Sequence, residues 1–229
     1  MGRSTAQYSG TRLRLAVFDL DGTLVELDRE HFVGQIAKTL EKLGLFCPVR
    51  TVLRELVRGH AVNSMFSAPG ERERFWAHYE EGELPPPRAF SRAVETVDAL
   101  VSRGMAVAIA TARKSHCEEV RQQLHPTGLT RHTTIISTFH GSDWTDKIEQ
   151  LRGVCRDAGV KPVASLMVGD SEDDMRSSLH VGFPLRLAIG NGAASHERLR
   201  AARPSRILSC ISEVPGALDE HHSLPAVES

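Results

Sequence analysis

The sequence predicts an α/β fold: a doubly wound parallel sheet with a small α-helical segment inserted after the first strand. Three observations carry that expectation. Near-continuous apolar runs recur at 13–20, 105–110 and 163–168, as expected of parallel strands covered on both faces. The stretches between later runs place apolar residues at helical spacing, so strand and helix alternate. Residues 26–87 break this rhythm, with helical patterns and no convincing strand, and they end in Pro85, Pro86 and Pro87.

The first strand is expected over 13–20. A helix over 28–44 follows, with Phe32, Ile36, Leu40 and Leu43 at helical spacing. A second helix over 49–58 rests on Val52, Leu53, Leu56 and Val57, and a third over 70–83 carries Phe75, Trp76 and Tyr79. The proline run then ends the insert, because proline rings block helix continuation. A helix over 89–103 stops at Gly104 and leads into the strand 105–110. A helix over 114–124 ends before Pro126, and 134–137 reads as a short strand. Helices over 145–158, 173–180 and 196–202 alternate with strands over 163–168, 185–189 and 206–208. From Leu218 onward a mobile tail is expected, and residues 1–11 read as a polar lead-in.

Composition narrows the function classes. The chain has 229 residues and a formal net charge of −1, which offers no bulk attraction for nucleic acid or membrane. No apolar stretch approaches the roughly 20 residues that span a bilayer. Cys47, Cys117, Cys155 and Cys210 are scattered singly, which argues against a zinc or redox pair and fits reduced thiols in a cytoplasm. No histidine pair sits at i,i+4 on a credible helix face, and His221-His222 falls in the expected tail.

The chemistry concentrates at strand ends. Ala16-Val17-Phe18-Asp19-Leu20-Asp21-Gly22-Thr23-Leu24 delivers two carboxylates at the end of an apolar strand. Ligands of open parallel sheets bind at such ends. Two aspartates there resist full ionisation unless a cation joins them, and a hard divalent ion, Mg2+, suits oxygen ligands and bound phosphate. An Asp-Gly hairpin is the plain alternative, but the helical pattern that follows argues against it. Leu166-Met167-Val168-Gly169-Asp170 repeats the design, with Glu172, Asp173 and Asp174 just beyond. The strand 105–110 ends at Thr111, whose hydroxyl and the nearby N–H groups at Ala112 could bind a phosphate oxygen or simply cap a helix. Lys147 opens a helix, where the dipole disfavours a cation unless an anion compensates. Lys114 and Lys161 are competitors for that phosphate-binding role.

The first run resembles the opening motif of the haloacid dehalogenase-like hydrolase superfamily, D-x-D-G-T-L/V, at every position. Thr111, Lys147 and Gly169-Asp170 with Asp174 resemble its remaining motifs, although Ile148 stands where members often carry proline. The resemblance spans about 13–217 and implies a Rossmann-like core, 1–25 and 88–229, under a helical cap, 26–87, as in phosphoglycolate phosphatase-like members. It implies that Asp19 attacks phosphorus and that Asp21 serves as proton donor and acceptor. It further implies that Asp19, the Asp21 carbonyl and Asp170 hold Mg2+, that Thr111 and Lys147 bind phosphate, and that Asp174 or Asp173 stands behind them. Glu172 is expected to face solvent. Arg58, His60 and Asn63 in the cap are candidates for contacting the leaving group of a small phosphorylated metabolite. A monomer or homodimer is expected, and a phosphomutase or a non-catalytic phosphate-binding module are the rival readings.

Overall fold

The structure, a computed structural model, describes residues 12–45, 51–52, 66, 70–79, 82–140, 146–190 and 194–223. Strands β1 (Leu15–Phe18), β2 (Ala106–Ala110), β3 (Thr133–Ser137), β4 (Ser165–Gly169), β5 (Leu185–Ile189) and β6 (Arg206–Leu208) form one sheet. Their order is β3-β2-β1-β4-β5-β6 and every pairing is parallel. The chain winds outward from β1 to β3 and then returns to β4 on β1's other side. That reversal between β1 and β4 is the topological switch point, where the strand ends leave a crevice.

The apolar runs are continuous because both faces of each central strand are covered. Leu15, Val17, Ala108 and Met167 pack into one layer, while Ala16, Phe18, Ile109 and Val168 pack into the other. The first layer is closed by Leu151 and Val154, Met175, and Leu199, from helices Lys147–Asp157, Glu172–Val181 and His196–Ala201. The second is closed by Val97 and Leu100, Val120 and Leu124, and Leu218, from helices Ala93–Ser102, Cys117–Leu124 and Val214–Ser223. The winding is therefore double, as the alternation predicted.

Helices Arg29–Lys42 and Glu71–His78 lie in the insert. Asp28 starts the first by accepting the His31 N–H at 2.8 Å. Val33, Ile36, Leu40, Val52, Phe75 and Tyr79 form a third apolar cluster, distinct from the two flanking the sheet. Outgoing and returning segments run antiparallel, joined by Glu26 N–H to the Arg88 carbonyl at 2.8 Å and Phe90 N–H to the Leu24 carbonyl at 2.9 Å. Of the helix expected over 49–58, only residues 51–52 are described, and they are helical.

Several boundaries differ from expectation for local reasons. The helix expected from 89 begins at Ala93, because Arg92 adopts φ 66°. The one expected from 114 begins at Cys117, where His116 and Glu119 form a reciprocal cap. The helix expected to 83 ends at His78, with Tyr79 already extended. Pro162–Ala164 turns as a 3-10 segment before β4. The tail is the largest correction. Val214–Ser223 is a helix whose Val214, Ala217 and Leu218 are buried, and the His222 ring meets the Leu13 N–H at 3.3 Å. Their i, i+3, i+4 spacing is the helical signal.

Candidate active site

Asp19, Thr111 and Asp170 each follow directly from one of three adjacent strands, β1, β2 and β4. The pairing register puts Phe18 level with Ile109 and with Val168, so the three ends lie side by side. The Asp19 N–H donates to the Val168 carbonyl at 2.9 Å, and the Thr111 N–H to Ser137 at 2.9 Å. Gln150, fully buried beneath, donates to the Thr111 carbonyl at 2.9 Å and to Ser137 at 3.1 Å.

Lys147 reaches this point from the first turn of its helix. Its ammonium lies 2.8 Å from Asp19 Oδ1, 3.1 Å from Asp174 Oδ1 and 2.6 Å from the Ala110 carbonyl. Asp146 caps that helix through the Glu149 N–H at 3.0 Å. Carboxylates rather than a phosphate thus provide the negative charge that Lys147 requires. Asp19, Asp170 and Asp174 each offer an oxygen within 4.8 Å of the others. Burial pushes the Asp19 carboxyl well above the usual carboxylate range, and Asp174 and Asp170 add to the rise while Lys147 opposes it. Burial alone would lower the Lys147 value, but Asp174 and then Asp19 outweigh it and hold the ammonium charged. Three carboxylates against one ammonium leave an all-oxygen cluster with surplus negative charge, which fits a hard divalent cation.

Two glycines make room for the cluster. A Cβ on Gly22 would lie 2.3 Å from Asp170 Oδ2, and one on Gly169 would lie 2.5 Å from Asp174 Oδ2. Gly22 also sits at φ 87°, a left-handed conformation that other residues adopt at a cost.

Asp174, rather than Asp173, is the acid of this helix that meets Lys147. Its Oδ2 accepts from Ser171 Oγ at 2.6 Å and from the Ser171 N–H at 3.2 Å, in a reciprocal cap, while Oδ1 faces Lys147. Asp173 contacts Ser177 at 3.4 Å and lines the cavity above. Glu172, expected in solvent, is half-buried and pairs with Arg176 and Arg198. Lys161 precedes β4, at the opposite end of the sheet from the site. Lys114 donates to the Trp76 carbonyl and, at 3.4 Å, to that of Tyr79, tying the insert to the end of β2.

A cavity of about 630 Å³ opens over the cluster, lined by Asp19, Asp21, Thr111, Ala112, Lys147 and Asp170, with the insert opposite. Arg113 was not singled out from the sequence. Its guanidinium grips both Asp21 oxygens, at 2.8 and 2.7 Å, and Gln123 holds its remaining nitrogen at 2.9 Å. Its position two residues beyond Thr111 was the available signal. Phe32, Trp76 and Tyr79 also reach the cavity, although their spacing read only as packing. Arg58, His60 and Asn63 lie outside the described residues. Among the described residues no helix is long and apolar enough to cross a membrane, and Cys117, Cys155 and Cys210 are free thiols.

The haloacid dehalogenase-like hydrolase family profile matches residues 16–187. A 5'-nucleotidase of Pseudomonas aeruginosa is 26% identical over 90% of this chain and 95% of its own. A phosphoglycolate phosphatase of Agrobacterium fabrum is 29% identical over 74% of this chain and 78% of its own. A solved haloacid dehalogenase-like hydrolase of Streptococcus pneumoniae superposes with a TM-score of 0.68 at 17% identity, over 90% of this chain and 98% of that one. At that identity the likeness speaks for the fold.

Proposed function

The chain belongs to the haloacid dehalogenase-like hydrolase family, and from that membership we propose that it is a Mg2+-dependent phosphatase. Its substrate is the phosphate monoester of a small metabolite, as in the phosphoglycolate phosphatase-like relatives, and the reaction passes through an aspartyl phosphate. The observation that carries this reading is the clustering of Asp19, Asp170 and Asp174 around a buried Lys147 at the foot of a cavity.

Asp19 is the nucleophile. Lys147 holds one of its oxygens at 2.8 Å, which fixes the carboxylate for in-line attack on phosphorus. Thr111 and Lys147 bind equatorial phosphoryl oxygens, with the main chain at Ala112 beside them. Asp21 gives a proton to the departing alkoxide and later takes one from the water that hydrolyses the aspartyl phosphate. Arg113 occupies both Asp21 oxygens, so that ion pair must loosen during each proton transfer. Asp19, Asp170 and the Asp21 main-chain carbonyl are the ligands assigned to Mg2+, which when bound supplies positive charge to the phosphoryl oxygens. Asp174 steadies Lys147 from behind.

Residues 26–87 serve as a cap over a core of 1–25 and 88–229. The insert's separate apolar cluster and its paired connecting segments support that division. Phosphate release from a panel of small esters tests the proposal. Release should require Mg2+, fall when Ca2+ replaces it, and vanish in Asp19→Asn. A chain that binds esters tightly but releases no phosphate would be a binding module. Interconversion of hexose phosphates in the presence of the bisphosphate would make it a mutase.

A further inference from the structure

The cavity wall facing the phosphate site has a chemistry of its own. Phe32, Trp76, Tyr79, Leu84, Pro85 and Pro86 line it, presenting aromatic and proline surfaces. The rings brace one another. Trp76 and Tyr79 stand 5.3 Å apart at 70°, Phe75 and Trp76 5.0 Å apart at 81°, and Phe32 and Tyr79 6.3 Å apart at 75°. Edge-to-face contacts of this kind hold each ring at a defined tilt. The wall is also fixed against the floor, because Lys114, three residues past Thr111, bonds the carbonyls of Trp76 and Tyr79.

Resting on the phosphatase reading, we propose that this wall binds a planar, ring-bearing leaving group, and that the substrate class is a nucleoside monophosphate. Size supports this. A cavity of about 630 Å³ holds about twenty waters at the ~30 Å³ each occupies in the liquid. A two-carbon phosphate ester would leave the greater part of that space to water, against an apolar wall. A nucleobase offers a π-face to the rings, while its phosphate reaches Thr111 and Lys147 and its sugar lies between. Glu26, Leu27, Asp28, His31 and Arg88 line the cavity beside these rings, and His31 and Arg88 are placed to offer polar contacts to the sugar and base. Hydrolysis adds one water, and the P–O bond to the nucleoside breaks to give the free nucleoside and inorganic phosphate.

The test compares kcat/KM for uridine, adenosine and guanosine monophosphates with that for phosphoglycolate, in wild type, Trp76→Ala and Trp76→Phe. Wild type should favour the best nucleotide by tenfold or more. Loss of a stacked ring should lower the nucleotide-to-phosphoglycolate ratio by about five- to 150-fold in Trp76→Ala. Trp76→Phe should retain most of it. The ratio is taken within one preparation, so a misfolded fraction does not affect it. Preference for phosphoglycolate, or a ratio unmoved by Trp76→Ala, overturns the proposal and leaves the phosphatase reading standing. Absence of phosphate release from every ester overturns both.

Discussion

Replacing Lys147 by methionine removes the charge at the centre of the site while keeping most of the side chain's bulk. The side chain is 3% exposed, and its ammonium lies within 3.1 Å of two carboxylates. Its value is raised above that of an ordinary lysine, so its contribution to stability is complete below the unfolded-state value of about 10.4 and is lost only as pH climbs beyond the folded one. At neutral pH the whole contribution is therefore at stake. Removing one partner of a buried pair costs about 3–5 kcal/mol, because the remaining charge is left uncompensated. Here three carboxylates would remain. Asp19, already pushed upward by burial, can relieve them by taking a proton, and more readily at pH 5 than at pH 8. The expected loss in Lys147→Met is thus about 3 kcal/mol or more at pH 8, and smaller at pH 5. Urea unfolding followed by circular dichroism, with divalent ions chelated, measures both. A loss below about 1 kcal/mol at pH 8, or equal losses at the two pH values, would refute this account.

The remaining perturbations address other parts of the same arrangement. Arg113→Ala should lower kcat about ten- to hundredfold with little change in KM, since Asp21 loses the fork that orients it; Arg113→Lys should recover little, because an ammonium cannot reproduce two parallel bonds. Steady-state kinetics on one ester decides this, and an unchanged kcat would remove Arg113 from the reaction. Gly22→Ala should fold yet lose about a hundredfold in activity, as its methyl would displace the Asp170 carboxylate; circular dichroism with a phosphate-release assay checks both halves. Leu218→Ala should cost about 2–5 kcal/mol in urea unfolding, where a mobile tail would cost nothing.

The parallel sheet was legible because buried strands leave a strong mark. β5 and β6 were read to the residue, as near-continuous apolar runs bounded by helical patterns. The carboxylates at 19 and 170 were legible for a related reason: a charge at the end of an apolar run has few structural explanations, whereas Asp173 and Asp174, inside the following helix, could not be told apart by spacing. Arg113, Gln150 and the aromatic wall were not. Arg113 meets Asp21 across 92 residues of sequence, and Gln150 meets Thr111 across 39, so no local spacing encodes either contact. Trp76 and Tyr79 followed helical spacing as ordinary core residues do, and only the fold shows that they also reach a cavity. The C-terminal helix, where a mobile tail was expected from Leu218 onward, carries its signal in only Val214, Ala217 and Leu218, a single short apolar face in an otherwise polar stretch.

The placement of charge favours the proposed phosphoryl transfer over simple anion binding. A phosphate approaching Thr111 meets Asp19 and Asp170 on neighbouring strand ends, and repulsion across a few ångströms in a half-buried site is substantial. Lys147 cannot offset it alone, because Asp19 and Asp174 already share its charge. Arg113 is likewise committed to Asp21 and Gln123. Lys147 and Arg113 each already have a carboxylate partner, so an anion gains stable residence only when further positive charge accompanies it. A site built only to hold phosphate would carry fewer acids. Retaining acids beside the bound ester makes sense where one of them forms a bond to phosphorus and another moves a proton. The two apolar layers around the sheet make this crowding tolerable, since they anchor the three strand ends independently of the site.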